Sequence, residues 1–291
     1  MDVPDCLGQT QTRDLIERKV LCPMNDRLSV EQRWARLNRP APKYLGGSMN
    51  RIIRIHSHAK CVRAALEDDF HHFRVSIDHD GTTLHSASSV SLRAPYSLCG
   101  DAGGRLQALI GLPITNDITA LTKQTDARSQ CTHQFDLACL AVAMAARGLG
   151  TRTYHAIVHD SRDSRYLATL DRDGTRVLSW SMDRETIVDP HPYAGRSIGG
   201  GFTAFVSQQL AGDEAEAALV LRRSVFITSG RGIADWTDSF DYAMVTGGCW
   251  VQQPERHQMA LRNRGSNIDF TGRVDRLLAE EDDWLTRPDS R

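Results

Sequence analysis

Hydrophobic and polar residues alternate with a period of two in two separate parts of the chain. In the first part the alternating runs cover residues 51–61, 73–77 and 83–92, and Asp80-Gly81 separates the last two runs. Alternation of this kind is typical of half-buried strands, and Asp-Gly between two such strands favours a tight hairpin turn. This part of the chain therefore predicts an antiparallel meander.

The second block of alternating positions follows residue 150. Its predicted strands cover residues 154–158, 166–170 and 177–182, and Asp173-Gly174 joins the last two. The block predicts a second meander similar to the first, because each contains an Asp-Gly-Thr turn. Strands joined by tight hairpins do not form the parallel sheet of a doubly wound fold.

Apolar residues at helical spacing lie between and after the two blocks. Residues 129–147 are apolar around most of the helix circumference, which predicts a buried central helix that ends at Gly148. Further helices are predicted from Phe202 and over residues 214–226. The expected fold class is α+β, with antiparallel β hairpins or meanders, a buried central helix and further helices packed on the sheet.

The distribution of apolar residues divides the chain into three parts. We expect an N-terminal extension over residues 1–50, a single α+β domain over residues 51–270, and a solvated polar tail over residues 271–291. With 291 residues and 41% hydrophobic content, the chain is long enough to bury a substantial core without disulfides or metals.

Charge and composition lower the expectation of several functions. The 35 basic and 36 acidic residues give a formal net charge of −1, which provides no basic field for a nucleic acid or an anionic membrane. The sequence shows no signal-peptide pattern and no apolar run of about 18 residues, so a cytoplasmic protein is expected. The expected partner is a small-molecule substrate, and the sequence leaves open whether the chain forms a homo-oligomer.

One candidate site lies at the start of the predicted central helix. Cys131, His133 and Asp136 fall within its first two turns. His133 and Asp136 are three residues apart, so the carboxylate could orient the imidazole, while the helix dipole would favour the thiolate of Cys131. The structural alternative is a capped helix in which the cysteine packs in the core and the histidine binds a carbonyl.

A second candidate site contains Asp69 and His71, close to Phe73. If strand alternation holds there, both side chains lie on the inner face and form a second proton-transfer pair. The structural alternative is a charged turn with exposed histidines.

A third candidate site begins at Arg93. Its loop includes Tyr96 and Cys99 and is followed by glycines before a short predicted helix. Backbone N–H groups there could bind an anion, with Arg93 as a clamp and Tyr96 and Cys99 as substrate contacts. An ordinary structural turn is the alternative interpretation.

No cofactor is predicted, although metal binding remains an alternative. The candidate donors Cys99, Cys131, His133, Asp69 and His71 lack a recognised ligand spacing, and no CxxC pair indicates a zinc knuckle. The nearby pair His56 and His58 could reach one ion, but the basic residues Arg54 and Lys60 disfavour a cation there. No HExxH or kinase motif is present either.

Several of these segments together resemble a bacterial family catalogued as a domain of unknown function. The resemblance rests on residues 51–56, 66–71, 93–99 and 253–256 and above all on the Cys-Thr-His-x-Phe-Asp-Leu-Ala motif at residues 131–138. It covers most of residues 50–270 and implies a role in aromatic or steroid catabolism, with no assigned reaction to transfer. Tyr96 departs from the tryptophan that the family often has at that position.

These observations support one leading hypothesis and two alternatives. The leading hypothesis is a cofactor-independent acid–base enzyme, of lyase, isomerase or hydrolase type, acting on a small hydrophobic carbonyl or carboxylate compound. One alternative is a metal-dependent hydrolase or lyase that uses the same His, Asp and Cys groups as ligands. The other is a non-catalytic small-molecule-binding or partner subunit.

Overall fold

Eight antiparallel strands form one continuous sheet in the order β4-β3-β2-β1-β5-β6-β7-β8. The strands are β1 (Ser48–Ser57), β2 (Cys61–Asp68), β3 (His72–His79), β4 (Leu84–Arg93), β5 (Gly150–His159), β6 (Arg165–Arg172), β7 (Thr175–Asp183) and β8 (Thr186–Asp189). The computed structural model describes residues 46–161 and 163–287. All described residues belong to one compact unit.

Two four-stranded meanders share the sheet and meet at one seam, where β1 pairs with β5. The seam ladder runs from Ser48 opposite His159 to Ser57 opposite Gly150. In the second meander, Asp173 and Gly174 both have positive φ angles, of 51° and 79°. This is the conformation of a type I′ hairpin turn, which an Asp-Gly pair adopts readily.

The strand prediction missed one strand in each meander. The predicted run over residues 51–61 is broken at residues 58–60, and β2 follows as a separate strand, while β8 was not predicted at all. Nearly every residue of β2 is buried on both faces of the sheet. A strand buried on both sides does not alternate between apolar and polar residues, so the period of two is absent there.

The two longest helices cover one face of the sheet and build the main core. The α-helices are α1 (Thr132–Arg147), α2 (Phe202–Gln209), α3 (Gly212–Thr228), α4 (Ala234–Thr237) and α5 (Asp282–Thr286), and 3-10 turns lie at Ser97–Cys99, Asp101–Leu109, Leu121–Lys123, Ala127–Ser129, Arg231–Ile233, Trp250–Gln252 and Val274–Arg276. Helix α1 packs on β1, β2 and β3, and α3 packs on β5, β6 and β7. The α+β prediction with a buried central helix is thereby confirmed.

The opposite face of β1 and β2 is covered by residues 268–287, which we call the C-terminal strap. Its apolar side chains pack with Ile52 and Ala65 in a second core cluster, and they are Ile268, Phe270, Val274, Leu277, Leu278, Trp284 and Leu285. Glu281 is 1% exposed and accepts hydrogen bonds from Arg74 Nε at 2.7 Å and Nη2 at 3.0 Å. The expectation of a solvated tail over residues 271–291 is therefore wrong for the described part of that segment.

The error has a physical explanation. The acidic run that ends at Asp283 suggested a solvated segment, yet Glu281 within it faces Arg74 and His72 on β3. A carboxylate with such partners can be buried at little net cost, so local charge density gave a misleading signal. The predicted extension over residues 1–50 falls mostly outside the described residues, although β1 already begins at Ser48.

Replacing Leu277 by alanine tests whether the strap belongs to the folded unit. Leu277 is 1% exposed. We expect Leu277→Ala to lower the free energy of unfolding by about 2–4 kcal/mol, because a buried apolar side chain is lost and a cavity remains. Urea unfolding followed by circular dichroism measures this change. The exposed neighbour Glu280 provides the control Glu280→Ala, and equal stability of both variants would contradict the assignment.

Candidate functional site

A buried ion pair between neighbouring strands lies beneath α1. Arg51 on β1 and Asp68 on β2 are opposite one another in the ladder, with Nη1 and Oδ2 2.7 Å apart. Their exposed fractions are 2% and 0%. Removing either partner would leave a buried charge without a counter-charge, so both side chains are needed at this position beneath α1.

The second oxygen of Asp68 organises the turn between β2 and β3. Its Oδ1 accepts hydrogen bonds from the backbone N–H groups of Phe70 at 2.8 Å and His71 at 2.9 Å, and it lies 3.1 Å from Nδ1 of His71. Burial acts to raise the pKa of Asp68, but His71, Arg51 and these hydrogen bonds outweigh burial and hold the pKa well below its ordinary range. The carboxylate is therefore ionised and only accepts, which assigns the Nδ1 proton to His71.

His71 and His133 form a pair of stacked imidazoles, which we call the imidazole stack. Their ring centroids are 3.9 Å apart, and Phe73 packs beside both rings. Among the described residues, the buried Nε2 of His133 has no hydrogen-bond partner. Burial lowers the pKa of both histidines, and their mutual repulsion lowers the pKa of His133 further. Both rings are neutral near pH 7, the state in which an imidazole can accept a proton.

A cavity of about 470 Å³ lies between α1 and α3, above β1. Its apolar wall consists of Ile53, Ile118, Phe135, Leu140, Leu219, Val220 and Phe226, and its charged side chains are Arg51, Asp136, Arg222 and Arg223. This volume falls within the range of small-molecule sites, about 300–1,000 Å³, and a mostly apolar wall with a few polar groups is typical of them. We call it the inter-helix cavity.

Arg51 connects the inter-helix cavity with the imidazole stack. It lines the cavity and also pairs with Asp68, which in turn holds His71. On α1, His133 directly follows Thr132, which lines the cavity. The imidazole stack and the cavity are thus neighbouring parts of one buried polar arrangement.

The structure brings only some of the predicted site residues together. His71 and His133 belong to different predicted clusters and are in contact, as a joint site requires. The predicted interaction between His133 and Asp136 is replaced by an ion pair of Asp136 with Arg223, with Oδ2 and Nε 2.6 Å apart. Helical spacing put the two α1 side chains close together, but a guanidinium on the neighbouring helix is the stronger partner for a carboxylate.

Asp69 does not form the predicted proton-transfer pair with His71, and Asp68 takes that position instead. Asp69 is ion-paired with the buried Arg231, and its Oδ1 accepts a hydrogen bond from the Phe270 N–H at 3.4 Å. Burial raises its pKa to about 7, against the effect of Arg231. The prediction failed because β2 ends at Asp68 and residues 69–71 form a turn, where strand alternation does not apply.

Arg93 has a structural role in place of the predicted anion clamp. Its two terminal nitrogens donate to the carbonyl groups of Asp68, Asp69, His71 and Ser266 and to the Glu67 carboxylate. Turns leave carbonyl groups that the sheet ladder does not satisfy, and a guanidinium with five donors can bind several of them. Arg93 therefore holds the turn that carries His71.

The other predicted substrate contacts lie away from the inter-helix cavity. The guanidinium carbon of Arg262 lies 5.3 Å from the centroid of the Tyr96 ring. Tyr96 and Arg93 both border a second cavity of about 330 Å³. Cys99 is buried, and its carbonyl accepts a hydrogen bond from Gln134 at 2.7 Å. Burial raises the pKa of the Cys99 thiol well above its ordinary value.

Cys131 was predicted within the first two turns of the central helix, but it is the N-cap residue that precedes α1, and its chemistry also differs from the prediction. The side chain is buried, and burial raises the pKa of the thiol to about 12. The dipole of α1 favours a thiolate by a small amount, whereas loss of solvent penalises it by more. The thiol is therefore protonated at neutral pH and is not an activated nucleophile.

Four residues of the site were missed by the sequence analysis, namely Arg51, Asp68, Arg222 and Arg223. One signal was available, because Arg51 has the same strand parity as Met49 and Ile53 and so must lie on the apolar face. The sequence offers no comparable signal for Asp68, because the strand that carries it does not alternate. For Arg222 and Arg223, the position of α3 over the sheet decides which side chains reach the cavity.

The described residues contain no group of three His, Cys, Asp or Glu side chains that could hold a metal ion. His56 and His58 do stack, with centroids 4.4 Å apart, but Nε2 of His58 lies 3.1 Å from the Leu285 carbonyl oxygen.

No helix in the described ranges is long and apolar enough to span a membrane. Comparisons with protein-family models and with curated proteins find no match to the chain, so the family resemblance of its motifs stays a prediction.

The lowered pKa values of His71 and His133 predict a specific dependence of stability on pH. Below about pH 6.5 these histidines are protonated in the unfolded chain but stay neutral in the folded chain. The free energy of unfolding therefore falls as the pH falls, by at most about 1.4 kcal/mol per pH unit for each histidine. We expect His133→Asn to be less sensitive between pH 7.5 and 5 than the parent protein. Urea unfolding at several pH values measures both slopes.

The exposed His159 provides the control variant His159→Asn. Asp69 acts in the opposite direction, because its raised pKa makes the folded chain bind a proton more tightly, but it is present in all three proteins and cancels. Equal slopes for His133→Asn and the parent would contradict the buried neutral state of His133.

Proposed function

We propose that the protein binds a small hydrophobic compound in the inter-helix cavity and acts on it as a cofactor-independent acid–base enzyme, of lyase, isomerase or hydrolase type. The observation that carries the proposal is the continuity of the site. Arg51 lines an apolar cavity and is joined through Asp68 to His71, which stacks on His133. A cavity with an apolar wall, convergent charged groups and histidines of perturbed pKa is the pattern expected of an active site.

The shape and lining of the cavity support the binding part of the proposal. Phe135 and Leu140 on α1 face Leu219 and Phe226 on α3 across a volume of about 470 Å³. Apolar groups of a ligand would gain from leaving water there, at about 25 cal/mol for each Å² buried. The charged side chains at the same site would fix the orientation of its polar end.

The imidazole stack supports the acid–base part. Asp68 holds the Nδ1 proton of His71, so the tautomer of that ring is fixed and its Nε2 is an acceptor. His133 is neutral, and no group in the described part of the chain forms a hydrogen bond with its Nε2, so that atom can exchange a proton with a ligand. In this mechanism His133 exchanges the proton with the bound compound, and Asp68 and His71 position it.

One observation favours a second function, that of a non-catalytic small-molecule-binding or partner subunit. The described side chains that line the inter-helix cavity include neither imidazole. A binding protein needs only the apolar wall and the arginines, whereas an enzyme also needs His133 to reach the ligand. Binding and proton transfer are therefore tested separately.

Filling the cavity tests binding. Thr203 on α2 lines the cavity and is half-buried, whereas Ser207, one turn further along the same helix, is exposed. We expect the parent protein to bind the neutral probe 3-phenylpropan-1-ol and Thr203→Trp to bind it at least about tenfold more weakly, because the indole occupies the site. Titration followed by ligand-observed NMR measures this, with Ser207→Trp as the matched control. Absence of binding by the parent, or equal weakening by both variants, would reject the cavity as the site.

Proton exchange tests the chemistry. We expect the protein to accelerate deuterium exchange at C3 of 4-phenyl-2-oxobutanoate in D₂O, and His133→Asn to reduce this acceleration by a factor of about 100 or more, the usual contribution of a general base. The exchange is followed by proton NMR. His79 at the far end of β3 is also buried, and its Nε2 has no hydrogen-bond partner within residues 46–161 and 163–287, so His79→Asn is the control. Undiminished exchange by His133→Asn would exclude the proposed role, and no acceleration by the parent would favour the binding subunit.

A further inference from the structure

The charges around the inter-helix cavity do not balance. Its wall contains three guanidinium groups, from Arg51, Arg222 and Arg223, and one carboxylate, from Asp136. Asp68 compensates Arg51 from behind, and Asp136 compensates Arg223. The wall therefore keeps one positive charge in excess, and burying such a charge without a counter-ion is unfavourable.

Of the three arginines in the cavity wall, Arg222 is the one that forms no ion pair with a carboxylate of residues 46–161 or 163–287. Its Nε donates to the Ile198 carbonyl at 2.6 Å and its Nη2 to the Gly199 carbonyl at 3.4 Å, so neutral groups hold it in place. Burial lowers its pKa, and the like charge of Arg223 lowers the pKa further. An anion in the cavity would remove both penalties.

Arg51 contributes a donor that the folded chain leaves unused. The side chain is 2% exposed, yet in the described part of the chain its Nε has no hydrogen-bond partner. A buried donor without an acceptor is unusual and destabilising in a folded protein, unless a ligand supplies the acceptor. Since Arg51 lines the cavity, an acceptor bound there is within the reach of this side chain.

Asp136 is the part of the wall that can be exchanged. Its side chain is 34% exposed, whereas that of Arg223 is 17% exposed. If another carboxylate takes its place on Arg223, the partly exposed Asp136 can turn to water at little cost, while Arg223 keeps an anionic partner. In the ion pair between α1 and α3, the carboxylate of Asp136 thus occupies the position on Arg223 that the carboxylate of a ligand could take.

We propose that the inter-helix cavity takes a hydrophobic monocarboxylate, which displaces Asp136 from Arg223 and accepts a hydrogen bond from Nε of Arg51. This inference rests on the proposed function, because it assumes that the cavity is the binding site. Binding brings one negative charge to a wall with one positive charge in excess. The apolar body lies against the side chains of α1 and α3.

The same wall argues against a doubly charged or zwitterionic ligand. Apart from the charged side chains and three threonines, the cavity is lined by apolar residues, Cys139 and Gly248. A second charged group would lie against this apolar wall and lose its hydration without a partner. One carboxylate at the arginine end and an apolar remainder are the combination that the lining matches.

Two probes with the same apolar body separate the charge from the cavity. We expect the parent protein to bind 3-phenylpropanoate more tightly than 3-phenylpropan-1-ol. Asp136→Asn removes the internal competitor and is expected to tighten 3-phenylpropanoate binding by about threefold or more, while binding of the uncharged alcohol changes by less. Arg223→Gln is expected to weaken 3-phenylpropanoate binding on the order of 30-fold while the alcohol still binds. Isothermal titration calorimetry measures all six affinities.

The tightening by Asp136→Asn is the decisive readout, because a merely structural ion pair would give weaker binding when broken. Unchanged or weaker carboxylate binding by Asp136→Asn overturns the inference, and so does equal affinity of the parent for the two probes. In either case, binding of the alcohol would leave the proposed cavity intact. Failure of the parent to bind either probe would reject the proposed site and this inference together. Loss of alcohol binding by Arg223→Gln would also overturn the inference, because Arg223 would then be needed for any ligand and not only for a carboxylate.

Discussion

The buried ion pair between Arg51 and Asp68 is the interaction on which the site depends. It places two charges beneath α1, and each oxygen of the carboxylate has a separate task. One oxygen holds Arg51 against the cavity, and the other holds the turn that presents His71. Replacing the pair by apolar residues could keep a sheet of this kind folded, as is often found for buried ion pairs, but it would remove the link between cavity and imidazole stack.

Much of the fold could be predicted from the sequence, because the signals involved are local. Alternation along β3, β4 and β7 and the apolar circumference of α1 reflect which faces are buried, and Asp173-Gly174 defines a hairpin with two residues. The prediction failed for β2, where burial on both faces removes the alternation, and for the strap, where Glu281 finds its partners on a distant strand. Both failures concern contacts between segments far apart in the sequence.

The candidate site was predictable only in part, for a related reason. His71 and His133 were predicted as site residues because titratable groups beside apolar segments often lie at functional sites. The fold brings the two rings into contact. Which carboxylate each one meets was decided by a turn of three residues and by the packing of α3 on the sheet. His71 contacts Asp68 and not Asp69, and Asp136 pairs with Arg223 and not with His133. Both outcomes depend on tertiary geometry, which spacing along the chain does not encode.

The seam between β1 and β5 has a consequence for the order of folding. Within each meander the strands pair with their neighbours in sequence, so these contacts close short loops, whereas the seam must bring distant segments together. Helix α1 packs on the first meander and α3 on the second, and the cavity lies between them. The cavity can therefore exist only after the two halves have joined. A ligand bound there would selectively stabilise the state in which the two meanders are paired, and so favour the last step of folding.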